Sequence, residues 1–402
     1  MKLQTAIAGA LLCAYGISAH AYDWLNDWPT KFKTDNGYEF GIKGLYQGDI
    51  NDYSGDTTNP ATSATILTDQ TTWRRKEFNG YGKTPWGVDF NFGVDFSTSP
   101  NTWIDNFVRY TNKDIGAFRL GQFKTPVGWE EAESSSATTF LERALPVQAT
   151  NMGRRLGADW TYTGIPNWLV TLGYYSGGDL NGDNDGDGPA AHVVFNPIKE
   201  KNEVIHLGLA VSEESRDATT DGRGITTPAT ARFRARPEAN LTGTRLIDSG
   251  ALKNADSIDR VGLEGAWIHG PWLVQGEYLH FNADFTDSKP SYSGDGYYVF
   301  GTWMLTGESR DYKNGYVGNV KPAHEYGAFE FAARYSELNL NDGAVLGGKE
   351  HDWTIGANWY LGSHLKFQAN YVWASSNKYY KVPNKYFDVD PKVFELRAQV
   401  YF

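Results

Sequence analysis

Apolar and polar residues alternate with period two through most of this chain. Val88, Phe90, Phe92, Val94 and Phe96 alternate with Asp89, Asn91, Gly93 and Asp95. Tyr38, Phe40 and Ile42 alternate with Glu39, Gly41 and Lys43, and Phe329, Phe331, Ala333 and Tyr335 with Glu330, Ala332, Arg334 and Ser336. The same rhythm runs through Trp353–Leu361, turns at Gly362-Ser363-His364, and returns through Leu365–Trp373. Phe394–Phe402 repeats it and ends on an aromatic residue. Successive side chains of a β-strand point to opposite faces, so each stretch predicts a strand with one apolar and one polar face. Further strands are expected at Trp103–Tyr110, Ile115–Phe123, Ala158–Tyr162, Trp168–Tyr175, Val204–Val211, Val261–Trp267, Trp272–Tyr278 and Tyr297–Leu305. A soluble β-sandwich also alternates, but it rarely turns so many aromatic rings one way.

The rhythm stops at Lys124–Gly157, which contains Trp129-Glu130-Glu131 and Leu141-Glu142-Arg143. Structureless stretches of this length are functional or disordered. Inside a barrel, such a stretch can fold into the lumen and narrow it. Gly178–Gly188 is an acidic loop. Its Asp183-Asn184-Asp185-Gly186-Asp187-Gly188 run resembles the start of a calcium loop. The position of the closing glutamate is Val194, so the match fails. A solvated outer loop is expected there, and no metal or other cofactor.

Composition separates a membrane barrel from a soluble fold. The 402 residues include 14 Trp, 24 Tyr, 21 Phe and 44 Gly, and aromatics make up 15%. Mean hydropathy is negative, and no run after the N-terminus approaches a membrane helix. Half-apolar strands, aromatic girdles and long polar loops are the signature of a transmembrane antiparallel β-barrel. At roughly 24 residues per strand with its share of loops, about 16 strands are expected, enclosing an aqueous channel. The closing strand ending at Phe402 fits an outer-membrane barrel. Lys2, the apolar Ala6–Ile17 and Ala19-His20-Ala21 read as a signal peptide cleaved after Ala21, leaving residues 22–402 as one domain. The single cysteine, Cys13, lies in that segment, so the mature chain would have no disulfide, thiolate metal site or cysteine nucleophile. Outer-membrane lipid and lipopolysaccharide are the expected surroundings. The net charge of −11 and the lack of a basic domain exclude nucleic acid.

The most telling polar stretch is Arg232-Phe233-Arg234-Ala235-Arg236. In a strand its three guanidiniums share one face, roughly 7 Å apart. Three unpaired cations do not fit a soluble core. Either the row is an ordinary solvated face, or Phe233 faces lipid and the arginines line a lumen as bidentate anion sites. His192, His206, His269, His280, His324, His351 and His364 are scattered and sit in no nucleophile motif, so an enzyme is not expected.

Several short motifs add to this. Gly121-Gln122-Phe123-Lys124-Thr125-Pro126, Phe140-Leu141-Glu142-Arg143, Arg232–Glu238, Gly262-Leu263-Glu264, Thr306-Gly307-Glu308-Ser309-Arg310 and Lys321-Pro322 occur in order. With them the chain resembles the phosphate-selective porin O and P family of Gram-negative outer membranes. The resemblance implies a sixteen-stranded homotrimeric barrel with the third loop folded into the pore, passing inorganic phosphate or other small anions. It implies that Arg232, Arg234 and Arg236 form an anion ladder. It also implies a basic constriction from Arg74, Arg75, Lys124 and Arg143, joined by a fifth-loop cluster of Arg310, Lys313 and Lys321. Arg74 and Arg75 cannot both face inward in a regular strand, so one is expected at the interface or on a bulge. Asn240 stands where a further ladder arginine would be expected. The alternative on the same fold is a general or sugar-type porin, with the arginines only shaping a transverse field.

Overall fold

The computed structural model describes residues 23, 25–182, 184 and 186–402. The expected signal peptide lies outside these residues, as do Asp183 and Asp185 of the calcium-like run. The chain forms a closed antiparallel barrel of sixteen strands. They are β1 (Glu39–Gly55), β2 (Gln70–Lys83), β3 (Val88–Asp95), β4 (Asn106–Asn112), β5 (Gly116–Lys124), β6 (Arg154–Tyr162), β7 (Trp168–Tyr175), β8 (Gly188–Phe195), β9 (Glu203–Ser215), β10 (Ala255–His269), β11 (Trp272–Phe285), β12 (Tyr292–Met304), β13 (Ala328–Asp342), β14 (Val345–Leu361), β15 (Leu365–Tyr380) and β16 (Pro391–Tyr401). Three short strands, at Lys31–Lys33, Thr102–Trp103 and Lys385–Val389, extend the sheet at its rims. β16 pairs with β1 from Leu45↔Tyr401 to Gly55↔Pro391 and so closes the tube. Closure leaves no sheet edge unpaired in lipid.

The alternation sets what faces where. On β14, Trp353 and Ile355 are exposed on the outer wall, whereas Glu350, Asp352 and Thr354 are buried on the inner one. On β16, Phe394 and Leu396 point out, and Glu395 and Arg397 point in. The inner residues are buried because the lumen is partly filled by the chain's own loops.

Connections alternate between two ends. Residues 84–87, 113–115, 163–167, 270–271 and 362–364 are tight turns at one end. Gly362 sits at φ 60°, and a Cβ there would meet the Leu25 carbonyl oxygen at 2.6 Å. In outer-membrane barrels the short turns are periplasmic and the long loops extracellular. One long segment breaks the pattern: residues 305–327, between β12 and β13, emerge at the turn end.

Among the described residues, the three longest connections enter the barrel. The first, 125–153, carries two short helices, α1 (Trp129–Ala132) and α2 (Leu145–Thr150). Trp129, Phe140, Ala144 and Val147 are buried against Ile268, Leu273, Leu279, Tyr298, Phe300 and Ala332 of the inner wall. Burying each large side chain contributes about 1.5–3 kcal/mol. The second is 216–254, between β9 and β10, and the third is 305–327. The Trp129 indole nitrogen donates to the Gly315 carbonyl at 2.8 Å, so the first and third segments meet inside the lumen.

Candidate permeation path

The arginine row is not a wall strand. It lies on the 216–254 segment, where Arg234–Ala235 pairs only with Ile247–Asp248 of the same loop. Phe233 does not face lipid. Its ring stacks on Phe281 at 4.2 Å and on Tyr292 at 5.7 Å, both inner-wall residues. Ala231, Phe233 and Ala235 are buried in that contact, while Arg232 and Arg234 are exposed and Arg236 is half-buried. The loop lies flat on the inner wall through its apolar face, so its guanidiniums point away from the wall, into the lumen.

The row's members differ. Arg232 is paired bidentately with Asp248, one bond measuring 2.9 Å. Arg234 sits opposite Asp248 in backbone register but has no ion pair among the described residues. Arg236 donates to the side chain of Asn240, so the residue standing where a further arginine was expected positions this one. Arg245, on the return limb of the loop, joins the group. Burial and then its neighbours Arg236 and Arg234 lower its guanidinium to about 10.

Arg74 and Arg75 both reach inward because of a bulge. The β1–β2 register shifts between Gln47 and Gly48, which oppose Arg75 and Trp73 and leave Arg74 as the extra residue. Arg74 pairs with Glu142 of the inserted loop at 2.8 Å. Arg75 donates to Gln47 at 2.7 Å and lies 3.3 Å from Glu77. Burial would raise the Glu142 carboxyl, but Arg74 and Arg397 outweigh it and hold it at about 2.

Deeper, two adjoining cavities of about 530 and 450 Å³ share Asp105, Phe107, Arg109, Lys124 and Ala132 as borders. They run between the β1–β7 wall and the inserted loop. Lys124 Nζ donates to the carbonyls of Glu131 at 2.6 Å and Glu133 at 3.0 Å. Arg143 bonds the Glu130 carbonyl and pairs with Glu131 at 2.6 Å. Around the same space, Arg154 pairs with Asp105 at 2.9 Å, Arg109 with Asp89 at 3.0 Å, and Arg119 with Asp159. Lys43 has no ion pair among the described residues and lies 4.7 Å from the Tyr81 ring centre. Burial and the Glu130 carboxylate push Glu133, on the rim, up to about 8.

The expected fifth-loop cluster is not one. Arg310, Lys313 and Lys321 lie on the turn-end segment 305–327, and the fifth long loop is the one carrying the arginine row. Arg310 is buried, bidentate to Glu330 at 3.0 and 2.8 Å, and donates to Ala137 O and Thr139 Oγ1. Its fork is fully used in fastening the inserted loop, which leaves none for an ion. Lys313 and Lys321 are exposed and border neither cavity. Two further arginines fasten the same loop. Arg334 binds Glu238, Glu130 and the Glu142 carbonyl, and Arg397 binds Asp49, Glu142 and the Leu141 carbonyl. Two of the scattered histidines also converge: His192 and His206 both meet Glu264 Oε2, at 2.9 and 3.1 Å, and His206 Nδ1 lies 2.7 Å from the Tyr312 hydroxyl.

Sequence reasoning missed Lys43, Arg109, Arg119, Arg154 and Arg245. Lys43, Arg109 and Arg119 are single basic residues at inward positions of alternating strands, and that placement was the available signal, whereas Arg154 stands beside Arg155 within the stretch where the alternation lapses. Arg245 has no local pattern, because only the loop's return brings it to the row.

Residues 40–402 match the family model described as phosphate-selective porin O and P. Porin O of Pseudomonas aeruginosa is 30% identical over 388 residues, covering 86% of this chain and 85% of that protein. An uncharacterized protein of Caulobacter vibrioides is 29% identical over 325 residues, 74% of this chain but only 61% of its own length. The solved anion-selective porin from Comamonas acidovorans shares the fold, with a TM-score of 0.57 and 11% identity over 91% of this chain and all (100%) of that one.

Proposed function

The chain belongs to the phosphate-selective porin O and P family, and from that premise we propose that it is an anion-selective diffusion channel of the outer membrane. Its solutes are phosphate, pyrophosphate or polyphosphate. Residues 22–402, after cleavage near Ala21, form the one channel domain, set in outer-membrane lipid and lipopolysaccharide as a homotrimer. The observation that carries the reading is the orientation of the 232–236 row: apolar side on the inner wall, guanidiniums toward the lumen.

An anion entering the mouth sheds part of its hydration shell, and guanidinium forks replace those contacts bidentately. From Arg234 and Arg236 the path passes Arg74 and Arg75, then Arg143 and Lys124, and leaves past Arg154, Arg119, Arg109 and Lys43. Several moderate sites in series attract an ion without trapping it. The overall net charge of −11 does not oppose this. Charges on distant loops are screened within about 8–10 Å, and the local sign inside the lumen sets the potential there.

A second reading has its own support. Most basic side chains around the cavities already have a carboxylate partner, which is the charge-balanced lining of a general porin with a transverse field. Titrating phosphate against the chloride current of the purified channel separates the two. Block at millimolar phosphate supports the phosphate channel, and an unaffected current supports the general porin. Mobility of the unheated protein on a denaturing gel tests the trimer.

A further inference from the structure

The segment 305–327 carries a small hairpin whose tip borders the ion path. Tyr312–Lys313 pairs with Tyr316–Val317, and Asn314 and Gly315 turn the chain at φ 53° and 85°. Asn314 and Tyr316 line the larger of the two cavities. Arg310 fastens the base of the hairpin to Glu330 at 2.8 Å. The tip is held by the Trp129 bond to Gly315, by the burial of Val317 and by the Tyr312 hydroxyl.

The protons around that hydroxyl follow from its partners. Asn196 Nδ2 donates to it at 2.9 Å and to the Ile205 carbonyl at 3.0 Å. His206 Nδ1 lies 2.7 Å from it. His206 Nε2 and His192 Nε2 stand 3.1 and 2.9 Å from Glu264 Oε2. A carboxylate only accepts, so both Nε2 atoms carry protons, and a neutral imidazole has one N–H. His206 Nδ1 is therefore an acceptor, and Tyr312 donates to it. The bonds run one way, from Asn196 through Tyr312 and His206 to Glu264. A second proton on His206 reverses the middle link. Nδ1 becomes a donor, the Tyr312 oxygen faces two donors, and its own proton loses its acceptor. His206 is held in either state by Glu264 and by the Trp129 ring, stacked on it at 4.1 Å, whose face attracts a cation. The change therefore falls on Tyr312. Among the described residues His192 makes no hydrogen bond to the hairpin, and its ring lies 6.1 Å from that of Tyr316. The other titratable groups nearby are Glu277 of β11, Tyr316, Glu130 and Glu133 of the inserted loop, and Arg119 and Asp159 of β5 and β6. Among the described residues none of these bonds the His206 ring or the Tyr312 hydroxyl.

We propose that His206 and Tyr312 form a proton-operated latch: neutral His206 holds the hairpin tip against the wall, and protonated His206 releases it. The inference rests on the channel reading above and adds a gate at the turn end of the path. Release takes Asn314 and Tyr316 off the cavity border, so acid widens the path there.

The test places a nitroxide on the tip at Lys313→Cys, an exposed position in a chain whose one native cysteine is Cys13. Spectra and single-channel conductance of the reconstituted channel are compared at pH 7 and pH 5. Imidazole gains its charge over this range, and Glu133 stays neutral. Tyr312→Phe, which removes the hydroxyl and leaves the His206–Glu264 bond, is measured beside the parent. The parent is expected to lose its immobile spectral component at pH 5 and to conduct more there. Tyr312→Phe is expected to lack that component at both values and to lose the pH step in conductance. A parent spectrum unchanged by pH, or an immobile component kept by Tyr312→Phe at pH 7, overturns the latch. A tip released without a change in conductance overturns the gate. A preparation that carries no current overturns the channel reading and the gate with it, and the spectra still decide the latch.

Discussion

Arg74 Nε stands 2.8 Å from Glu142 Oε1, an ion pair that ties the bulge of β2 to the loop folded inside the barrel. Arg397 reaches the same carboxylate at 3.1 Å. One loop acid thus holds two wall arginines.

Glu142→Gln is therefore expected to do two things. It releases Arg74 toward the lumen, so the anion-to-cation permeability ratio rises. It also removes pH-dependent stability. The folded carboxyl titrates at about 2 against 4.5 unfolded, so its contribution is present above pH 4.5 and is lost as pH falls through 2. Heat stability of the wild type should drop more steeply than that of the variant between pH 4.5 and 2.

Glu133 predicts the opposite pH response. Its carboxyl is held up to about 8 by burial and Glu130, so it is neutral at pH 7 and ionises above 8. The native state loses stability as pH rises from 4.5 through 8, and a negative charge appears on the cavity rim. Anion preference should fall between pH 7 and 9. Reversal potentials at the two values check this, and Glu133→Gln should flatten the change.

Arg310→Met should leave selectivity intact and weaken the inserted loop. Removing one member of a buried pair leaves Glu330 uncompensated, at a cost of about 3–5 kcal/mol. The measurable outcome is faster proteolysis within residues 125–153 at an unchanged permeability ratio. Lost anion preference would instead return Arg310 to the ion path.

Phe233→Ala should unseat the row. The side chain fills a stack between Phe281 and Tyr292, and truncating a buried Phe costs about 3–5 kcal/mol. A loop that no longer lies flat should make the single-channel current noisier and phosphate block weaker.

Much of this was legible in the alternation. Period two gave the barrel's strands, because lipid outside and polar filling inside demand it, and chain length gave their number of about sixteen. The lapse at 124–157 marked the inserted loop, and two adjacent arginines in a strand pointed to an interface position or a bulge, of which the bulge at Arg74 is what forms. The row's wall was misread because Arg232–Arg236 shows the same period whether Phe233 packs on lipid or on Phe281. A loop strand lying on an inner wall looks like a wall strand. Arg310 was misread because basic residue type does not reveal a partner 20 residues away, Glu330, that consumes its fork. Arg245 was invisible because the loop's return, rather than any spacing, brings it to Arg234.

The most direct measurement is the reversal potential of the purified wild-type channel in a planar bilayer across a tenfold KCl gradient. An inward-facing arginine row predicts a potential displaced toward the chloride equilibrium value. Displacement toward the potassium value would contradict it.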